Sequence, residues 1–531
     1  MKRQGGIKGS TLVRWLTSRQ TCGVMSTIII FVYLASLWRN MKARKSGNGA
    51  GQVGAKIGQE TYLVILLQPS PVDAANQVKR LSYIDAQSWG LWIKQSPQLQ
   101  PRGKVKVYAG LLPAAMVGLG GFDLIQPIAL MDVEAAKNKG GNEAAYSYML
   151  EQFLQVLLLS PSTKWMLFAN DHTFLVPDNL YCFLRAHNPE VSVYSGSSLR
   201  RGVYKDINLR FASGGGGVVL SHVSLKLLLL AWILADNQRL GGYLDDVLAK
   251  AGAVCPADAF DDREMLNLAR EEPPMARGDM LCALQRVRQW VKQPAPVLES
   301  RVLFISLSMQ VTLTITKTRD NMMIQYQKMP SPDESHRGIV PLVKMVPFDD
   351  LRKCDATTSW DRINPGLLVA YCLQHIFPQA FVPSEDVSQG QAAPRERFNV
   401  FGSARTLAGD VDPWLTECKL NLRPGSLDKD PAERARLQQP IAVSSDLVSL
   451  HYVSHVESTL LYRALSGHAV ATLDLTASTL RDLTPEGLLR QWPSTDADVG
   501  AYSRKLKGPE EAGLVLDFLR SVVVKQQCGL E

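Results

Sequence analysis

The 531-residue chain has no CxxC pair, and so lacks the paired-thiol spacing of a zinc ribbon or a thioredoxin-like redox centre. It has no Asn-x-Ser/Thr sequon, so glycosylation signals say nothing about its compartment. Its basic residues form no stripe with interleaved aromatics, and zinc-finger and helix-turn-helix spacings are missing. Nucleic acid is therefore not an expected partner. There is no internal repeat, which excludes solenoids and propellers. Only 20% of residues are charged against 46% hydrophobic, an ordinary globular composition and not that of a disordered chain.

The net charge of +8 is modest for this length, and much of it lies at the N-terminus: Lys2, Arg3, Lys8, Arg14 and Arg19, then Arg39, Lys42, Arg44 and Lys45. Charge so placed suits membrane headgroups. Between the two clusters runs Thr21–Trp38, uncharged and apolar. It is short but sufficient for a membrane span, with Tyr33 and Trp38 placed for the interface. It is read as a signal anchor; a cleaved signal peptide and a buried helix are the alternatives, and no small-x-small cleavage site follows the apolar core. Both flanks are basic, so orientation rests on the short tail beside a large C-terminal domain, which gives a cytoplasmic N-terminus. Seven of the eight cysteines lie beyond this run, an arrangement compatible with a few disulfides and at least one free thiol in an oxidising lumen.

Residues 1–20 are then a cytoplasmic tail, 21–38 the anchor and 39–59 a Gly-, Lys- and Ala-rich stem. Tyr62–Leu67 is a continuous apolar run, the pattern of a buried parallel strand. Helical character over Val72–Trp89, a strand at Val105–Ala109, a helix over Asn142–Leu159 and a strand at Lys164–Ala169 follow. Pro177 then stands in the first turn of a helix. Alternating strands and helices predict an α/β domain with a mostly parallel sheet. Asn170-Asp171-His172-Thr173 closes the last of these strands, where open α/β sheets bind ligands. Four glycines, Gly214–Gly217, allow either a tight turn or close approach of a ligand to the backbone. Leu244–Val247 is expected to open a helix, so Asp245 and Asp246 either act chemically or complement its dipole. Residues 271–440 read as an irregular insertion with long loops, holding one or two strands over Val302–Ile315. Residues 441–531 then complete the domain begun at 60–270.

Four stretches, taken in order, resemble the inverting β1,3-glycosyltransferases of family 31, the group of core 1 galactosyltransferase and Fringe. WMLFANDHTFLVPDNL (Trp165–Leu180) is similar to the strand ending in three aspartates and followed by a helix with D-N-L. FASGGGGVVLS (Phe211–Ser221) resembles the family's S-G-G-A-G-Y-V-L-S element, and Asp245-Asp246 its acidic pair. SSDLVSLHYVSHVESTLLYRAL (Ser444–Leu465) looks like the core 1 branch.

The resemblance implies a GT-A, Rossmann-like fold and transfer of a hexose, most plausibly galactose in β1,3 linkage, from a UDP-sugar to a glycan or glycoprotein. It implies a Golgi or ER membrane address with a single-pass type II topology and a lumenal catalytic domain; a homodimer is compatible with it. It implies Mn²⁺ or another divalent metal held by His172 and His451, with Asp171 as a further ligand. Asn170, Asp171, Gly214, Gly215 and Gly216 would meet the donor. Asp246, or less directly Asp245, would be the general base. The chain nevertheless reads N-D-H where the family reads D-D-D. His172 is then a ligand to an altered metal, a neutral donor-site residue or the remnant of a lost site. The altered triplet also admits a non-catalytic reading: a chaperone-like relative of the core 1 enzyme that binds a partner transferase.

Overall fold

In the computed structural model, Leu63–Gln68 (β1) is buried along its whole length. Val64 and Leu66 enter one apolar cluster, and Leu63, Ile65 and Leu67 enter another. A strand covered on both faces has no use for a polar alternate, which is why it reads as an unbroken apolar run. The structure describes residues 61–68, 74–99, 104–111, 121–129, 149, 152–203, 207–236, 238–251, 266–267, 277–294, 301–308, 310–328, 342–354, 365–377, 379, 381–386, 395–400, 402, 406–407, 417–418, 443–466, 484–492, 505–525 and 528. The tail, the anchor and the stem lie outside them. Among the described residues no helix is long and apolar enough to cross a membrane.

Around β1 are Val105–Leu111 (β2), Ile125–Ala129 (β3) and Trp165–Asn170 (β4), followed by Phe174–Leu175 (β5), Tyr194–Gly196 (β6), Ser198–Val203 (β7), Ile207–Ala212 (β8) and Val218–Ser221 (β9). The main sheet has the order β3-β2-β1-β4-β9-β6. Its first four strands are parallel, while β9 runs antiparallel to both β4 and β6. The expected α/β class with a mostly parallel sheet is present, with antiparallel pairing confined to one side.

Helices Ala74–Gln87 (α1), Trp89–Gln95 (α2), Pro177–Arg185 (α3), His222–Leu234 (α4), Gln238–Ala251 (α5) and Arg277–Lys292 (α6) follow in chain order, then His455–Ser466 (α7) and Pro509–Ser521 (α8). Leu81, Ile84, Trp89 and Trp92 of α1 and α2 join one apolar layer, and α4 joins the opposite layer. α4 is buried along its whole length, so apart from His222, Ser224 and Lys226 its composition is apolar. Ser221 caps it by accepting from the Ser224 backbone N–H at 3.2 Å.

Two expectations need correction. Residues 271–440 were expected to be mainly loops, yet they carry most of a five-stranded sheet. Leu266–Asn267 (β10), Arg301–Ser308 (β11), Val311–Lys317 (β12), Asn321–Lys328 (β13) and Leu342–Pro347 (β14) pair in sequence order. In β12 the buried Val311, Leu313 and Ile315 alternate with Thr312, Thr314 and Thr316, a period of two that the surrounding prolines obscure. Second, α5 starts at Gln238, which puts Asp245 and Asp246 in its middle and not in its first turn. Dipole complementation does not reach that far along a helix.

Candidate functional site

The sheet order reverses direction between β1 and β4, and their carboxyl ends lie side by side, Gln68 opposite Asn170. The chain leaves β4 there, with the Asp171 N–H donating to the Gln68 carbonyl at 3.2 Å. This is the crevice where open α/β sheets place ligands.

Three distant segments converge on it. Phe398–Asn399 (β15), Ser449–Leu450 (β16) and β5 make a small sheet with β16 in the middle. That sheet carries His451 to the end of β4, and the Val453 N–H donates to the His172 carbonyl at 3.0 Å. The glycine turn arrives from the other side: the Thr173 hydroxyl donates to the Gly215 carbonyl at 2.9 Å, and the Ser449 hydroxyl donates to the Gly216 carbonyl. The Gly215 backbone faces the His451 ring so closely that a Cβ there would overlap it. Gly217 has a φ of 103°, which an L side chain rarely adopts. The glycines therefore serve both a turn and a close approach, with His451 as the group approached. A Cβ on Gly214 would meet nothing within 4 Å.

The hydrogen bonds settle the state of His451. Its Nδ1 lies 3.2 Å from the Val400 carbonyl, which can only accept, so Nδ1 carries the proton. Burial, then the charge of His172, push its pKa down to about 3, so the ring is neutral near pH 7. Its Nε2 is consequently a lone pair, and the Asn170 amide donates to it at 3.1 Å. Tyr452 holds a φ of 55°, in the left-handed region, and its ring centroid lies 3.7 Å from that of His451.

Asp171 is fully enclosed. Arg80 of α1 donates to its Oδ2 from Nε at 3.0 Å and from Nη2 at 2.9 Å. The other oxygen, Oδ1, lies 3.4 Å from His172 Nε2 and makes no hydrogen bond. A cavity opens beside this pair, lined by Arg80, Tyr83, Asp171, His172, Val453 and His455 among others. Tyr83 and His455 wall it with ring centroids 4.5 Å apart, joining α1 to the start of α7.

Asn170, Asp171, His172, Gly215 and His451 are thus brought together. Asp245 and Asp246 are not among the residues lining this cavity. Asp245 is exposed and held by α6, accepting from Arg288 Nη1 at 2.8 Å and from Gln285 Nε2 at 2.8 Å. Asp246 is exposed beside it on α5. The convergence of Asp246 with His172 and His451 expected from the sequence is absent from the cavity that the structure describes.

A divalent cation needs lone pairs aimed at a common point, and hard cations need several oxygens. Here Asp171 Oδ2 is taken by Arg80, and the His451 lone pair is taken by Asn170. Among the described residues no group of three or more His, Cys, Asp or Glu side chains is placed to hold a metal ion. The residues at the end of β4 do not fit the cation that the resemblance implies.

Sequence reasoning missed Arg80. Its signal was an arginine next to Leu81 on the apolar face of α1, a position that favours a buried partner over solvent.

The comparison with known families agrees with the motifs. The family model described as Fringe-like matches residues 135–242, a segment that holds β4, the N-D-H triplet and the glycine turn.

Proposed function

We propose that this chain, Fringe-like over residues 135–242, is a glycosyltransferase that takes a hexose from a UDP-sugar, with galactose and a β1,3 linkage as the specific reading. The family match supports glycosyl transfer in general. The sugar, the linkage and a glycan or glycoprotein acceptor follow from the motif resemblance by analogy. One observation carries the reading: the N-D-H triplet, the glycine turn and His451 meet at the switch point of the sheet, although His451 lies outside the matched segment.

In an inverting transfer the acceptor oxygen bonds to the anomeric carbon from the face opposite the diphosphate. The bond to the diphosphate breaks with its electron pair, and the acceptor proton passes to a base. Asp246 is outside the cavity lining, so the base is left unassigned. The disulfides Cys182–Cys528 and Cys354–Cys372 support an oxidising compartment, and the apolar run at 21–38 supports membrane attachment with this domain in the lumen.

The closed Arg80–Asp171 pair, with the acidic pair outside the cavity lining, favours a second reading, a chaperone-like relative that binds a partner transferase without turnover. UDP release from UDP-galactose and other UDP-sugars, with glycopeptide acceptors, separates the two. Turnover by wild type that survives Asp246→Asn establishes an enzyme with another base. Absence of turnover with every donor, together with tight capture of a core 1-type transferase, establishes the second reading.

A further inference from the structure

We infer that the site at the end of β4 is built to work without a divalent metal, with the Arg80 guanidinium and the Asn170 carboxamide standing where a cation would otherwise be required. The inference rests on the reading above only in taking this crevice as the ligand site.

Two electrostatic problems arise when a metal is taken from a pocket of carboxylate and imidazole. A buried carboxylate is left without a counter-charge, and an imidazole lone pair is left without an acid. The structure answers each with one residue. The Arg80 and Asp171 side chains are 3% and 0% exposed, and both bonds from the guanidinium converge on Oδ2. A second cation there would be repelled by the first at close range in a medium of low dielectric. The positive charge has become covalent, carried by a helix 91 residues upstream of the carboxylate.

The second answer turns on one atom. The Val400 carbonyl fixes the proton of His451 on Nδ1, so Nε2 can only accept. The Asn170 NH₂ supplies the hydrogen it needs, at 3.1 Å. An aspartate at 170 would set an anionic oxygen against that lone pair, an arrangement tolerable only with a proton or a cation between them. Asparagine removes the need for either. Asn170 and a metal on His451 are therefore mutually exclusive occupants of one lone pair. The oxygen left over, Asp171 Oδ1, faces His172 at 3.4 Å, and one oxygen with one imidazole is too few donors for a hard cation. Arg80 also lines the cavity, so the fixed positive charge at this end of the crevice is the guanidinium.

The full-length chain is titrated with Mn²⁺ alone, following loss of the free-ion electron paramagnetic resonance signal, and its UDP affinity is measured by calorimetry with and without EDTA. Wild type is expected to take up no Mn²⁺ more tightly than about 1 mM, and EDTA is expected to change UDP affinity by less than about twofold. Asn170→Asp, which is isosteric, is expected to bind Mn²⁺ at least about tenfold more tightly than wild type. Arg80→Met combined with Asn170→Asp is expected to bind more tightly still. Stoichiometric Mn²⁺ uptake by wild type that is lost in His451→Gln overturns the inference. So does an Asn170→Asp protein with native circular dichroism and no gain in Mn²⁺ binding. Failure of UDP to bind at all counts against the functional reading, while the Mn²⁺ titration still decides this one.

Discussion

The imidazole of His451 lies against the backbone of Gly215, with no room between them for a single carbon. The ring cannot retreat: its Nδ1 is tied to the Val400 carbonyl, its Nε2 to Asn170, and it is 3% exposed. Gly215→Ala should therefore cost about 1–3 kcal/mol, the range for forcing a methyl into a packed interior. The cost comes from the ring, so His451→Ala should absorb it. A double-mutant cycle by urea unfolding should give a coupling above about 1 kcal/mol between the two sites. Additive losses would mean that the glycine is required for its turn alone.

Arg80→Met should be among the most damaging single changes in this region. It leaves Asp171 buried and charged without a partner, a loss of about 3–5 kcal/mol when one member of a buried pair is removed. Asp171→Asn in the same chain should recover most of it, because the two side chains are then neutral together. Equilibrium unfolding of the two single variants and the double variant measures this. Equal stability of Arg80→Met and wild type would show that the pair contributes nothing to folding.

The distinction between these residues explains what the sequence could disclose. β1 and β4 were legible because burial on both faces leaves an unbroken apolar signature, and α4 because its run from Leu227 to Leu234 is apolar without a break. The clustering of the N-D-H triplet, the glycine turn and His451 was legible through motif order. Arg80 was not, because a charged residue in a helix defaults to the solvent face, and only a partner 91 residues away reverses that. Asp246 was misplaced for a related reason. Its helix begins at Gln238, several residues earlier than the acidic pair suggests. In β12 Val311, Leu313 and Ile315 alternate with threonines, but the proline-rich stretches on either side of this region masked the period.

His222 should make the fold sensitive to acid. It sits at the start of α4, 5% exposed, and faces Lys226, Lys164 and Glu190, with Glu190 Oε2 at 3.9 Å from its Nε2. Burial, then the charges of Lys226 and Lys164, push its pKa down to about 3. The unfolded chain binds the proton near pH 6.5, so between about 6.5 and 3 the unfolded state holds more protons and is favoured as pH falls. The contribution is fully present above about pH 6.5 and drains away towards pH 3, by at most about 1.4 kcal/mol per unit. Urea midpoints at pH 7, 6 and 5 should fall less steeply for His222→Gln than for wild type. Parallel slopes would refute the assignment.

The two described disulfides should differ in what they contribute, and chain topology says by how much. Cys182–Cys528 joins positions 346 apart and Cys354–Cys372 positions 18 apart. In the chain-entropy account, closing the longer loop in the unfolded state stabilises by about 2–3 kcal/mol more than closing the shorter one. The longer bridge also fastens the C-terminal segment onto α3, the helix that follows the candidate site. Asn179 Nδ2 donates to the Val523 carbonyl at 2.8 Å, and Asn179 Oδ1 accepts from the Lys525 N–H at 2.9 Å. These hydrogen bonds survive loss of the sulfur bridge, so Cys528→Ala should lower stability without releasing α3. The expected pattern is a larger drop in melting temperature for Cys528→Ala than for Cys372→Ala, with no faster tryptic cleavage after Lys525, whose N–H stays bonded to Asn179. A larger drop for Cys372→Ala would show that packing around the short bridge, where Cys354 and Cys372 are both fully buried, outweighs loop entropy.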